Sequence, residues 1–81
     1  MMIIKAYSIE ETLFEGEGKE VIAATPQGEI AILAGHLPLV TPIIGPRVKI
    51  LGEDGEIHVF PISSGILEVR PESEVVILAG S

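Results

Sequence analysis

Apolar and polar residues alternate along much of this chain with a period of two. Val48 and Ile50 alternate with Arg47 and Lys49, and Gly52-Glu53-Asp54-Gly55 follows. Asp and Gly tolerate the positive φ that tight hairpins need, so a turn is expected there. On the returning strand His58, Phe60 and Ile62 share one face, while Ile57 and Val59 share the other. The pattern predicts a hairpin over residues 47–62 whose second strand is apolar on both sides. Such a strand lies between the core and a covering partner, or at a sheet edge. Pro71-Glu72-Ser73-Glu74 predicts a further turn. Val75, Val76, Ile77 and Leu78 then run on without a polar break, the pattern of a central, well-covered strand.

Nine glycines and six prolines punctuate the 81 residues. They leave little room for helices and predict many short strands joined by turns, the signature of an antiparallel sandwich or barrel. One segment competes. Ser8-Ile9-Glu10-Glu11 is a capping-box pattern and could start a helix over residues 8–14. Gly16 and Gly18 would end that helix within two turns, and isolated helices so short are marginal. A turn followed by a short strand is the preferred reading. No internal repeat, low-complexity tract or linker divides the chain, so one domain is expected over residues 1–81.

Composition sharpens this picture. Only Tyr7, Phe14 and Phe60 are aromatic, so the core must be built mostly of Ile, Val and Leu, which suit a pleated surface. There is no cysteine, hence no disulfide and no thiolate metal site. A domain of this size buries only about 60% of its unfolded surface. With 47% hydrophobic residues and a mean hydropathy of +0.51, the chain has apolar side chains to spare for a partner surface. Twelve acidic residues against five basic ones give a net charge of −7, which argues against binding nucleic acid. The most apolar run, residues 30–45, is shorter than the ~20 residues a membrane-spanning helix needs, and His36, Pro38 and Pro42 interrupt it. No charged region followed by an apolar one opens the chain as a signal peptide would.

Candidate chemistry is sparse. A Ser-His-Asp set can be assembled on paper from Ser63 or Ser64, His36 or His58, and Asp54, but no Gly-x-Ser-x-Gly elbow is present. Glu56 and His58 would project from one strand face, yet two ligands fall short of the three or four a metal site needs. Gly16-Glu17-Gly18 lacks the Lys-Ser/Thr of a phosphate loop and reads as a turn. No catalytic residue, metal or cofactor is assigned. The candidates for contact are loop residues, His36 in a Gly35–Pro38 corner and the polar turn Thr25-Pro26-Gln27-Gly28-Glu29.

Two stretches carry a family resemblance. The first, G-E-I-A-I-L-A-G-H-L-P-L-V-T, fills residues 28–41; the second, G-I-L-E-V, fills residues 65–69. Together with Leu13-Phe14-Glu15-Gly16, the strands expected at 3–8, 21–25 and 47–51, and the closing strand at 75–79, they resemble the N-terminal domain of the ε subunit of F-type ATP synthases, called δ in mitochondria. The likeness runs over nearly the whole chain in the same order. Two departures stand out: Ser64-Gly65 replaces the family's glycine pair, and Pro46 begins a strand unusually. The family continues into two antiparallel C-terminal helices that carry an inhibitory switch and, in some members, an ATP site. The chain as written ends at Ser81 without that hairpin, so inhibition through a helical arm is not expected of it.

The resemblance implies an all-β sandwich of two mainly antiparallel sheets with about ten short strands. It implies a non-catalytic rotor subunit of the central stalk, peripheral to the membrane: on the cytoplasmic face in bacteria, the matrix or stromal side in organelles. The implied partners are the γ subunit, through Ser8, His36 and Thr41, and the ring of c subunits, through Pro26, Gln27, Gly28 and Glu29. Ion-driven rotation of the ring would reach γ as torque, with no direct insertion into the bilayer. Leu37, Leu39 and Val40 could anchor γ or pack in the core. The alternative reading is a stand-alone sandwich that binds a ligand, which would need a concave apolar pocket with converging polar groups.

Overall fold

The computed structural model describes residues 1–80; Ser81, the last residue of the expected domain, lies outside the described residues. Seven strands account for the ordered backbone: β1 (Met2–Tyr7), β2 (Thr12–Thr25), β3 (Gly28–Leu33), β4 (Leu39–Gly52), β5 (Ile57–Pro61), β6 (Ser64–Arg70) and β7 (Glu74–Ala79). Their order is β3-β2-β1-β7-β6-β4-β5, and an extra β2–β4 pairing closes the sheet on itself. Every pairing is antiparallel except β1 with β7.

Seven strands replace the expected ten because two of them turn corners. β2 and β4 each run 14 residues. Residues 12–18 of β2 pair with β1, while residues 20–25 pair with β3 on one side and β4 on the other. Residues 39–44 of β4 pair with β6, and residues 47–51 with β5. The result is a sandwich. One layer holds β1, β7, β6 and the first halves of β2 and β4; the other holds β3, β5 and the second halves. Register shifts in the β2–β4 ladder mark the bends.

Glycine makes both corners possible. A Cβ on Gly18 would lie 2.6 Å from Ile4 Cδ1 and 3.0 Å from the Leu51 carbonyl oxygen. At Gly45 it would run into the Ile62 carbonyl, while the Gly45 amide donates to Ser63 O at 2.8 Å. At Gly45 the obstacle is backbone and leaves no room for a side chain, while at Gly18 the approach is tight and the Ile4 side chain would have to move aside.

The core fills the space between the layers. Ile4, Leu67, Val75 and Ile77 enter from the first; Val21, Ile32, Val48 and Ile50 enter from the second, and all are fully buried. Each such side chain contributes about 1.5–3 kcal/mol of burial. The 8–14 ambiguity resolves as a turn. Ser8 Oγ accepts the amides of Glu10 (3.2 Å) and Glu11 (3.1 Å), and the Ser8 amide donates to Glu11 O at 2.8 Å. These bonds reverse the chain from β1 into β2 and use the groups a helix cap would have spent.

Candidate interaction surface

The turn between β2 and β3 is wired internally. Thr25, which is buried, donates from Oγ1 to Gly28 O at 2.7 Å and accepts the Gln27 amide at 3.1 Å. Gly28 has φ 131°, a conformation that favours glycine. Pro26, Gln27, Gly28 and Glu29 are therefore held together, exposed, at one end of the sandwich. Ala24 pairs with Ile44, which pairs with Ser64, whose carbonyl accepts the Gly80 amide at 2.7 Å. β7 ends there beside Tyr7 and Ser8, so Ser8 shares this end with the turn.

His36 is at the other end. The Gly35 amide donates to Ser73 Oγ at 3.0 Å, and Ser73 O accepts the Ile3 amide at the start of β1. Ser8 follows Ile3 by five residues of extended chain, about 17 Å along the strand. The His36 Nδ1 lies 2.7 Å from Leu37 O. A carbonyl can only accept, so Nδ1 is the donor in this contact. Thr41 lies between the two, half-buried on β4 opposite Leu67, with Oγ1 donating to Pro42 O at 3.1 Å. Ser8, His36 and Thr41 thus mark out one length of the first layer and do not converge on a point.

The three apolar residues of the corner divide. Leu39 is half-buried and packs against the core. Leu37 and Val40 are 79% and 66% exposed.

The strand pattern under-read one feature. On the outer face of the first layer, Tyr7 pairs with Leu78, Leu78 with Ile66, and Ile66 with Pro42. An apolar row therefore crosses four strands, with Leu78 55% exposed and Ile44 and Val40 beside it. β7 is central as expected, and Val76 is buried, but Leu78 faces outward without cover. Below the row the same face is polar and paired within itself: Lys5–Glu74 at 3.7 Å, Arg70–Glu68 at 3.2 Å and Arg70–Glu74 at 3.8 Å. The signal available in the sequence was the unbroken apolar run at 75–78.

On the second layer β5 is an edge strand, with Ile57 and Val59 exposed as its two-faced pattern predicted. An open concavity of about 250 Å³ lies on that layer beside the turn, lined by Ile22, Ala24, Glu29, Pro46, Arg47 and Lys49 among others.

The paper triad finds its aspartate occupied. Asp54 Oδ1 accepts the Glu56 amide at 2.9 Å inside the β4–β5 turn, and that bond holds its carboxyl below the usual range. His58 lies 3.6 Å from Glu56 and packs edge-on against Phe14, with centroids 5.0 Å apart. Among the described residues no group of three or more His, Cys, Asp or Glu is placed to hold a metal ion. None of their helices is long and apolar enough to cross a membrane.

The chain's relatives point one way. The family described as ATP synthase, Delta/Epsilon chain, beta-sandwich domain matches residues 2–81. An ATP synthase epsilon chain of Exiguobacterium sp. is 46% identical over 66 residues, covering 82% of this chain and 48% of that relative. One from Bordetella avium is 41% identical over 75 residues, covering 91% and 52%. This chain thus spans about half the length of these relatives. In the solved Euglena gracilis mitochondrial ATP synthase (OSCP/F1/c-ring, rotational state 1) a chain superposes with a TM-score of 0.87 at 25% identity, covering 96% of this chain and 49% of that one. A chain of the Tetrahymena thermophila mitochondrial ATP synthase central stalk and c-ring shares the fold, with a TM-score of 0.83 at 14% identity, covering 99% and 63%.

Proposed function

The chain belongs to the ATP synthase delta/epsilon family through its β-sandwich domain, and from that premise we propose that it couples the γ subunit to the c-ring in the rotor of an F-type ATP synthase. It is a non-catalytic part of the central stalk, peripheral to the membrane. It fixes γ to the ring so that rotation driven by protons or sodium ions reaches the catalytic head as torque. The observation that carries this reading is the division of the exposed surface. A wired turn of four exposed residues stands at one end, and an apolar row with Leu37 and Val40 runs over the adjoining layer. One contact for the ring and one for γ is what a link between them needs.

In this mechanism Pro26, Gln27, Gly28 and Glu29 meet the polar loops of the ring. The Glu29 carboxylate contributes orientation and only about 0–1 kcal/mol of affinity at such an exposed rim. Ser8, His36 and Thr41 lie along the γ contact, with the exposed His36 at its far end. Leu37 and Val40 supply apolar area that γ covers. Ser8 holds the β1–β2 turn in shape, since its hydroxyl already has partners within the chain.

The test is reconstitution with γ and the c-ring of the same organism in sealed vesicles. With the chain present, ion-driven ATP synthesis is expected; without it, ring rotation and synthesis come apart while ATP hydrolysis by the head persists. Synthesis that proceeds equally well without the chain would overturn the reading.

A further inference from the structure

We infer that the free edge of β5 pairs with β5 of a second copy of this chain. The two strands run antiparallel about a two-fold axis at His58, and the second layers of two molecules join into one continuous sheet. The inference is independent of the rotor reading. It concerns the chain apart from γ and the ring, and β5 holds none of the residues assigned to either.

The backbone lays out the edge. β5 ends the sheet and pairs with β4 alone. The Gly52 amide donates to Glu56 O at 2.7 Å, and the Ile62 amide to Pro46 O at 3.0 Å, at the two ends of that ladder. Bonding alternates along an antiparallel strand, so His58 and Phe60 also bond inward to β4. The amides and carbonyls of Ile57 and Val59 therefore point off the edge, where no described strand meets them. Pro61 offers a carbonyl there but no N–H. Edges are commonly guarded by charged side chains, and residues 57–61 include no Lys, Arg, Asp or Glu. Ile57 and Val59 stand exposed instead. The opposite edge, β3, carries Glu29.

This edge is complementary to itself. With Ile57 opposite Val59 of the second copy, every outward amide and carbonyl of both residues finds a partner. Sliding the copy two residues one way sets Ile57 against Pro61, which has no N–H to give, and leaves the Ile57 carbonyl unpaired. Sliding it the other way sets Val59 against Gly55, whose amide already donates to Gly52 O at 3.1 Å. One register satisfies the whole edge. In it the exposed Ile57 and Val59 of one copy lie against Val59 and Ile57 of the other, a cross-strand pairing that aliphatic side chains favour. The acidic turn Glu53-Asp54-Gly55-Glu56 comes beside Pro61 of the other copy and its ladder neighbour Arg47, which has no ion pair among the described residues. The two-fold axis repeats this contact at the far end. A single strand pair buries less than the about 1,200–2,000 Å² of a stable interface, so the dimer is reversible, with a Kd of about 0.1–1 mM.

Sedimentation equilibrium and amide hydrogen exchange on the intact chain, from about 0.02 to 2 mM, test this. Salt of about 0.15 M sets a Debye length of about 8 Å and screens the repulsion between two chains of net charge −7. The dimer is expected to grow with concentration. Exchange at the Ile57 and Val59 amides should slow at least twofold across the range, while the exposed Ile9 amide keeps its rate. V59K puts a charge against the apolar pair and V59P removes an outward donor; each should stay monomeric throughout. L33K, the same change of charge at an exposed residue of the opposite edge, should dimerise as the parent does. If either Val59 variant fails to fold, the exchange pattern of the parent still decides. A parent that remains monomeric at the top of the range overturns the inference and leaves the edge to a strand of another protein. A dimer that V59K leaves intact, or that forms without slowing Ile57 and Val59, lies elsewhere on the molecule and overturns it too. The rotor reading stands in either case, because its own test is made with γ and the ring present.

Discussion

Gly65 and Gly16 carry the same atom count into the same kind of strand, and replacing each by alanine should move stability in opposite directions. Gly65 lies in β6 opposite Ala79 of β7. A Cβ there would stand 2.5 Å from the Leu78 carbonyl oxygen and 3.2 Å from both Ala79 Cα and Ile62 Cδ1. Carbon–oxygen contacts settle at about 3.3–3.6 Å. The first obstacle is backbone and cannot rotate away, so β6 and β7 must part by about 0.8 Å to reach that distance. Overpacking of this kind costs about 1–3 kcal/mol, and each weakened ladder hydrogen bond adds about 0.5–1.5 kcal/mol. For G65A we expect a loss of about 2–3 kcal/mol. In a domain of this size 1 kcal/mol shifts Tm by about 4–8 °C, so the drop should be about 8–24 °C. A methyl on Gly16 meets only the Phe14 ring, at 3.6 and 3.7 Å, which is ordinary contact. G16A should gain about 0.4–1 kcal/mol, because alanine narrows the unfolded ensemble. Thermal melts followed by circular dichroism decide the matter. If G65A melted within about 2 °C of the parent, a quarter of the shift that 1 kcal/mol can bring, or if G16A fell as far as G65A, the close-approach argument would be wrong.

Other consequences are open to measurement. Thr25→Val removes both hydrogen bonds of the buried hydroxyl while keeping its shape, and should cost about 1–3 kcal/mol in chemical denaturation; an unchanged midpoint would show that Pro26 and Gly28 hold the turn without it. Asp54 has a lowered folded pKa, through the Glu56 amide first, so its contribution to stability is full above the unfolded carboxyl value of about 3.9 and fades as pH falls through the folded value. The stability difference between the parent and Asp54→Ala should therefore be flat above pH ~4 and shrink below it; a difference that grows on acidification would reverse the assignment. Leu37→Ser and Val40→Ser should leave Tm nearly unchanged, since both side chains are exposed, yet weaken binding to γ by about 1–2 kcal/mol each for partial burial. Titration calorimetry against γ would expose the opposite pattern, lost stability with unchanged affinity, at once.

How much of this was legible in the sequence depends on how local the signal was. The 47–62 hairpin and the turn at 52–55 follow from period-two alternation and positive-φ residues, and they stand as read; of the two places left open for residues 57–61, the fold takes the sheet edge. The turn over 8–11 was legible too, once the short reach of any helix there was weighed. The strand count was not. Whether Gly18 and Gly45 end strands or bend them depends on Ile4, Leu51 and Ile62, which approach from elsewhere in the chain. Sequence places a glycine; only the fold says what stands against it. The same limit applies to the surface. That Leu39 turns inward while Val40 turns outward is set by the pairing of β4 with β6, and the row Tyr7–Leu78–Ile66–Pro42 exists only once three ladders have fixed their registers. Ser8, His36 and Thr41 came from family likeness, and their spread over one layer is a property of the folded chain that no spacing in the sequence contains.

The corner-turning strands have a mechanical meaning. In a sandwich whose layers touch only through side chains, a sideways load can make one layer slip over the other against soft, non-directional contacts. Here β2 and β4 pass from layer to layer through unbroken backbone. Shear applied near Glu29 is taken up as tension along the backbone of β2 and β4 and delivered to their first halves, which carry Leu13 and Thr41. Slippage would require tearing the ladders on both sides of Gly18 and Gly45 at once. The molecule is thus braced against twist between its faces, and its resistance comes from covalent continuity more than from the oil of its core.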